Sequence, residues 1–150
     1  MDDRVGVLVA IETLRSLKST PHDVYFVFTT QEEVGVRGAT TSAFGIDPDL
    51  GIAIDVTPAA DTPTAFKMEM KLGKGPCVKI QDPGMIAEGL LVGSTDARAI
   101  QLARAGVPAG CLSIPVRYVH SPSEMVDFAD VQNSVKLLTA LLRTKIDLGE

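Results

Sequence analysis

Three runs of consecutive β-prone residues constrain this chain more than any other feature. They lie within DVYFVFTT (23–30), LGIAIDV (50–56) and GCLSIPV (110–116). A strand that is apolar on both sides can be buried only in a sheet covered on both faces. Amphipathic helical patterns separate the runs. VGVLVAIETLRSL (5–17) follows Asp2 and Asp3, either of which can cap it, and Lys18-Ser19-Thr20-Pro21 closes it. ATTSAFG (39–45) suggests a short helix, and TDARAIQLARAG (95–106) reads as a helix stopped at Gly106. ADVQNSVKLLTALLRTKI (129–146) reads as a long helix with Leu137, Leu138, Leu141 and Leu142 on its apolar face. KMEMKLG (67–73) and PCVKI (76–80) alternate like strands, TPAADTPTAF (57–66) is a loop, and DPGMIAEGLLVGS (82–94) reads as a compressed connection. Helices alternating with apolar strands predict an α/β fold, a three-layer sandwich around a mostly parallel mixed sheet.

At 150 residues the chain is the length of one ordinary domain, long enough to bury a core. A net charge of −5 argues against a nucleic-acid or anionic-membrane partner, both of which favour a basic patch. Aromatic residues make up 5% of the chain, too few for base-stacking platforms. No apolar run approaches the roughly 20 residues of a membrane span, and the first residues lack a signal-peptide pattern. The two cysteines, Cys77 and Cys111, have no metal-binding spacing and read as reduced core thiols of a cytoplasmic protein. The chain also enters its first core helix within four residues, which suggests part of a longer protein.

Chemistry gathers where the apolar runs end. Glu32 and Glu33 follow VYFVFTTQ, Asp55 follows LGIAI, and His120 follows LSIPVRYV. In open α/β sheets ligands bind outside the carboxyl ends of the strands, so these separate stretches aim Glu, Glu, Asp and His at one place, with Asp2 or Asp3 able to join. Clustered carboxylates repel unless a cation offsets their charge, and a Glu, Asp, His set suits zinc, cobalt or manganese. One of the paired glutamates can then ligate while the other acts as general base toward water. Each residue also has a plainer reading. The glutamates can be solvated, Asp55 can cap a turn with Thr57, His120 can be a satisfied loop histidine, and Asp2 or Asp3 can be only a helix cap. His22 reads as a surface residue, and Asp47 and Asp61 as turn residues. Nucleophile-elbow, Walker-type and dinucleotide-binding motifs are absent from the sequence. LGKGP (72–76) carries glycines but no following helix, so phosphate binding has little support.

The stretches DDRVG, TTQEEVGVRGA, AIDVTPAADTP, KMEMKLGKGP, STDARAI and AGVPAGCLSIPVRYVHSPSEMV, with the closing helix, resemble the TET and glutamyl-aminopeptidase family of co-catalytic metallo-aminopeptidases. Some members of that family are labelled cellulase M or endoglucanase. The resemblance implies hydrolysis of the amino-terminal residue of peptides, with two divalent ions, zinc or cobalt, in each active site. It implies that Asp2 bridges the two ions and that Glu33 and His120 ligate one of them. Asp55 would ligate the other, and Glu32 would be the general base acting on the water between the ions.

The resemblance has departures. The family carries a further histidine ligand in an His-x-Asp motif upstream of DDR, and an inserted dimerisation domain; neither is in this chain. GMIAEGLLVGSTDA joins two stretches that the family separates by a helix and a strand, on the order of twenty residues. Arg98 and Gln101 stand where members usually show a small residue and a histidine. Residues 1–150 therefore read as a partial catalytic domain, truncated relative to the family. One metal site can be complete from Asp2, Glu33 and His120, while the other has Asp2 and Asp55 without the upstream histidine. The alternative is a truncated, non-catalytic remnant that folds and binds at most one metal. A glycoside hydrolase rests only on the label some relatives carry. Exposed core favours self-association, and a family-type dodecamer is not expected.

Overall fold

The computed structural model describes residues 1–63, 69–79 and 95–148. The fold is α/β, a mixed sheet with helices. The strands are β1 (Gly51–Pro58), β2 (Cys77–Lys79), β3 (Ala109–Arg117) and β4 (Met125–Val126), ordered β1-β3-β2, with β4 antiparallel on β3. The chain divides into two compact units. The first comprises Met1–Phe26, Val56–Cys77 and Ile114–Glu150, the second Val27–Asp55 and Val78–Ser113.

In the first unit, helix α1 (Arg4–Ser16) packs against helix α4 (Phe128–Arg143). Asp3 caps α1, its carboxylate accepting the Gly6 N–H at 3.0 Å. Val5, Val9, Ala10 and Thr13 recur at helical spacing and are buried, each apolar side chain contributing about 1–3 kcal/mol. Val7, Leu8, Ile11 and Leu14 cover the other side of α1 and are exposed. On α4 the expected apolar face is narrower than the leucine pattern implies. Leu138 and Leu142 are buried with Val131, whereas Leu137 and Leu141 are exposed. Arg143 donates to the Ser16 carbonyl, Thr20 Oγ1 to that of Leu142, and His22 Nε2 meets the Thr144 carbonyl at 2.8 Å. His22 is thus half-buried and tied to the end of α4, not a free surface residue.

The glycine-bearing LGKGP stretch is an anion-accepting turn whose anion is internal. Asp130, fully buried in the first turn of α4, accepts the Gly73 N–H at 2.8 Å and the Gly75 N–H at 2.7 Å. Both glycines have positive φ, +74° and +93°, which side chains rarely tolerate. The Gly73 and Gly75 N–H groups are thereby committed to Asp130 and not to an external anion.

In the second unit, helix α2 (Arg37–Ile46) packs against helix α3 (Asp96–Gln101). Ala43 meets Ala103 and Val107, and Arg104 lies 3.8 Å over the Phe44 ring while donating to the Phe44 carbonyl. Ala53 of β1 packs with Ala97 of α3 and Cys111 of β3. Cys111 is buried beside Ser113, and burial raises its thiol pKa above the ordinary value, as expected of a reduced core thiol. Cys77, by contrast, is only half-buried at the start of β2.

Three expectations from the sequence are corrected. Residues 23–29 form no strand, because no described strand pairs with them; Tyr25, Val27 and Phe28 are exposed instead of covered on both faces. The helix read over 95–106 ends at Gln101, and a chain of turns leads to Gly106. Residues 69–73 of the KMEMKLG stretch are turn and not strand. The rest of that stretch and all of the compressed connection (82–94) lie outside the described residues.

Candidate functional site

Each unit supplies its own part of the acidic and histidine set. In the first unit Asp2, joined to Asp3 by a cis peptide bond, precedes α1. His120 stands three residues past the end of β3, in a turn where Tyr118 and His120 both adopt left-handed backbone (φ 58° and 61°). Such conformations cost non-glycine residues about 1 kcal/mol and concentrate at functional sites. The result is a direct juxtaposition: His120 Nε2 lies 3.1 Å from Asp2 Oδ2.

Glu124, a residue the sequence analysis passes over, ties this pair together. Its carboxylate accepts the His120 N–H at 3.0 Å and the Asp2 N–H at 3.1 Å, and it pairs with the Met1 amino group. The amino group and then the Asp2 N–H lower its pKa to about 2. The only hint in the sequence is an acid four residues after the histidine, close enough to close a turn. Asp61, read as a turn residue, forms a bidentate pair with Arg117 at the end of β3, at 2.7 and 2.8 Å. It also accepts the Leu72 N–H, and the Arg117 hydrogen bond holds its carboxyl below the usual aspartate value. The strand end from which His120 departs is therefore fixed by an ion pair.

In the second unit Glu32 and Glu33 occupy a turn that no strand precedes. The Gly35 and Val36 N–H groups donate to the Glu32 carbonyl, Arg37 N–H to that of Gln31, and Gly38 N–H to that of Thr30. Gln31 and Val36 take positive φ, 61° and 48°, on either side of the pair. Glycine is required at 38 by close approach: a Cβ there would lie 2.6 Å from the Thr30 backbone N and O. Glu32 is half-buried and Glu33 exposed. Asp55 lies inside β1, three residues before its end, and is half-buried. Strand-end placement thus holds for His120, while the glutamates belong to a free-standing turn and Asp55 to a strand interior.

The donor set fits a divalent cation. A histidine nitrogen and a carboxylate oxygen on one zinc-like ion, each about 2.0–2.2 Å from it, stand about 3–3.5 Å apart. The 3.1 Å separation of His120 and Asp2 has that value. Carboxylates with one imidazole are ligands of borderline-hard divalent metals.

Residues 1–92 and 88–137 match the M42 glutamyl aminopeptidase family. The chain belongs to that family. It is similar to the lysyl aminopeptidase of Pyrococcus furiosus, 38% identical, over 95% of this chain and 46% of that protein. Among solved structures it resembles the aminopeptidase APDkam598 of the archaeon Desulfurococcus kamchatkensis, with 40% identity and a TM-score of 0.85 over 96% of this chain and 48% of that one. It also resembles a TET aminopeptidase from the marine sediment archaeon Thaumarchaeota archaeon SCGC AB-539-E09, with 33% identity and a TM-score of 0.90 over 98% of this chain and 48% of that one. The chain spans about half the length of the relatives it matches. Among the described residues no helix is long and apolar enough to cross a membrane.

Proposed function

We propose that this chain carries the metal-binding and proton-transfer residues of a divalent-metal-dependent aminopeptidase acting on peptides with a free amino terminus. Asp2, Glu33 and His120 ligate one ion, Asp2 and Asp55 a second, and zinc or cobalt suits the set. The observation that carries the reading is the 3.1 Å approach of His120 Nε2 to Asp2 Oδ2 in a member of the M42 family. When bound, the divalent ions supply Lewis acidity, polarising the peptide carbonyl and acidifying the attacking water.

The chain's own residues do the rest. Glu32 accepts the proton of the attacking water at its carboxylate and delivers it to the departing amine. Glu32 is half-buried, and two backbone N–H donors on its main-chain carbonyl fix the backbone from which that carboxylate projects. Glu124 fixes the backbone of both Asp2 and His120, so the two ligands are presented together before any cation arrives. Pre-arranged ligands lower the ordering cost of binding.

Assay of aminoacyl anilides with wild type and Glu32→Gln tests the reading. Activity falls at least about a hundredfold in the variant, the scale of a lost general base, with bound metal unchanged. Equal activity in the two proteins removes the mechanism.

A second reading keeps the fold and the metal but not the turnover: a non-catalytic member binding at most one ion. The direct junction of GMIAEG and STDA, which the family separates by a helix and a strand, favours it. Metal binding with no hydrolysis of any anilide, and none of a cellulosic substrate, separates it from the first. The exposed stripe of Val7, Leu8, Ile11 and Leu14 supports self-association, and a clean monomer on size-exclusion chromatography argues against that.

A further inference from the structure

The turn bearing Glu32 and Glu33 has little sheet to hold it. Residues 23–29, which lead into it, form no strand, and Val27 and Phe28 beside it are exposed. A segment without ladder hydrogen bonds and with its apolar side chains in water is expected at the low-stability end of a fold. Yet two carboxylates with separate tasks need positions held within about 0.5 Å. Something other than a strand must hold this segment.

One side-chain anchor is Thr29. Its hydroxyl donates to Asp96 Oδ2 at 2.5 Å, three residues before Glu32. Asp96 is the first residue of α3, followed by the fully buried Ala97 that packs on Ala53 and Cys111. It therefore belongs to the firm part of the second unit. Its other oxygen, Oδ1, is buried and has no hydrogen-bond partner among the described residues. Leaving a buried carboxylate oxygen unsatisfied costs free energy that a small apolar residue at this position would avoid. One residue later the Thr30 carbonyl accepts the Gly38 N–H at 3.0 Å, so the segment is pinned on one side by α2 and on the other by α3.

The geometry points to Asp96 as a positioning residue that acts through the Thr29 hydroxyl to hold the Glu32–Glu33 turn. The inference rests on the reading of Glu33 as a metal ligand, and it adds a role for an aspartate outside the ligand set. Asp96 touches neither metal nor substrate; it sets the lead-in from which both glutamates project. Support of this kind typically changes metal affinity by about 10–100-fold.

The experiment is titration of the full chain with cobalt(II), followed by its visible absorption, alongside amide hydrogen exchange of the metal-free protein. Thr29→Val and Asp96→Ala each weaken cobalt binding about tenfold. The double variant is no weaker than either alone, and Thr29→Ser and Asp96→Asn, which keep a donor and an acceptor, restore binding. In the metal-free protein, Thr29→Val and Asp96→Ala speed exchange at Gly35, Val36 and Gly38 and leave the α4 amides unchanged. Wild-type cobalt affinity in Thr29→Val, or additive losses in the double variant, overturns the inference while the metal site stands. If wild type itself binds no cobalt, the metal reading falls; the exchange arm then still decides whether Asp96 holds the turn, and unchanged exchange rejects it.

Discussion

Two aspartates in the first turns of two helices behave in opposite ways. Asp130 of α4 is fully buried, and both of its oxygens accept backbone N–H groups, from Gly73 and Gly75. Asp96 of α3 is half-buried, satisfies one oxygen with a single hydroxyl, and leaves the other buried without a partner among the described residues. The first arrangement is what stability alone selects: the carboxylate is fully matched and clamps a glycine turn to a helix. The second is incompletely matched, and its hydroxyl partner Thr29 stands three residues before a candidate general base. Incomplete satisfaction is tolerated where a group serves something besides stability.

The contrast can be broken at the Asp130 end first. Asp130→Ala removes a buried carboxylate that two part-buried N–H donors bond, and it releases the Gly73–Gly75 turn, costing about 3 kcal/mol or more in urea-induced unfolding. A cost below about 1 kcal/mol would make the clamp incidental. Gly38→Ala comes next, because its methyl would meet the Thr30 backbone at 2.6 Å. It costs about 1–3 kcal/mol and also weakens metal binding, since the turn shifts with it. An unchanged cobalt affinity would show that the turn position does not matter to the site.

Two smaller effects concern pH. The Asp61 carboxyl is held below its ordinary value by Arg117, so the folded state binds fewer protons there than the unfolded state. That stability is present above about pH 4 and is lost as pH falls through the lowered value. Asp61→Asn removes this part of the acid dependence in thermal melts, and an unaltered acid limb counts against the pair. Burial moves Asp96 the other way, raising its pKa. The folded state then holds the proton longer, so stability declines as pH rises from about 4 through the raised value. Asp96→Asn flattens that decline; a steeper one would mean that the carboxylate is stabilised and not penalised.

Much of this was legible in the sequence where local pattern suffices. The spacing of Val5, Val9 and Thr13 marks α1, and Asp3, one of two candidate caps, caps it. Residue type gathers the acids and His120, while the choice of Asp2, Glu33, Asp55 and His120 as ligands comes from the family resemblance. What the sequence hides depends on distant partners. VYFVF reads as a covered strand because its composition suits one, but a strand exists only with a neighbour to pair with, and no described strand supplies one. Asp55 looks like a strand end because of its charge, yet β1 continues to Pro58. The helix read to Gly106 stops early because Gly106, Val107 and Ala103 draw their hydrogen bonds from turns. Asp130 and Asp96 could not be sorted from sequence at all. Their partners lie 57 and 67 residues away, and nothing near either aspartate announces which one is matched.

The central claim is that Asp2, Glu33, Asp55 and His120 form a metal site, and bound metal per chain tests it most directly. The protein is dialysed against zinc or cobalt and analysed for metal, as wild type, Glu33→Ala and His120→Ala. The account predicts at least one ion per chain in wild type and its loss in both variants. No ion in folded wild type, or full retention in both variants, would contradict it.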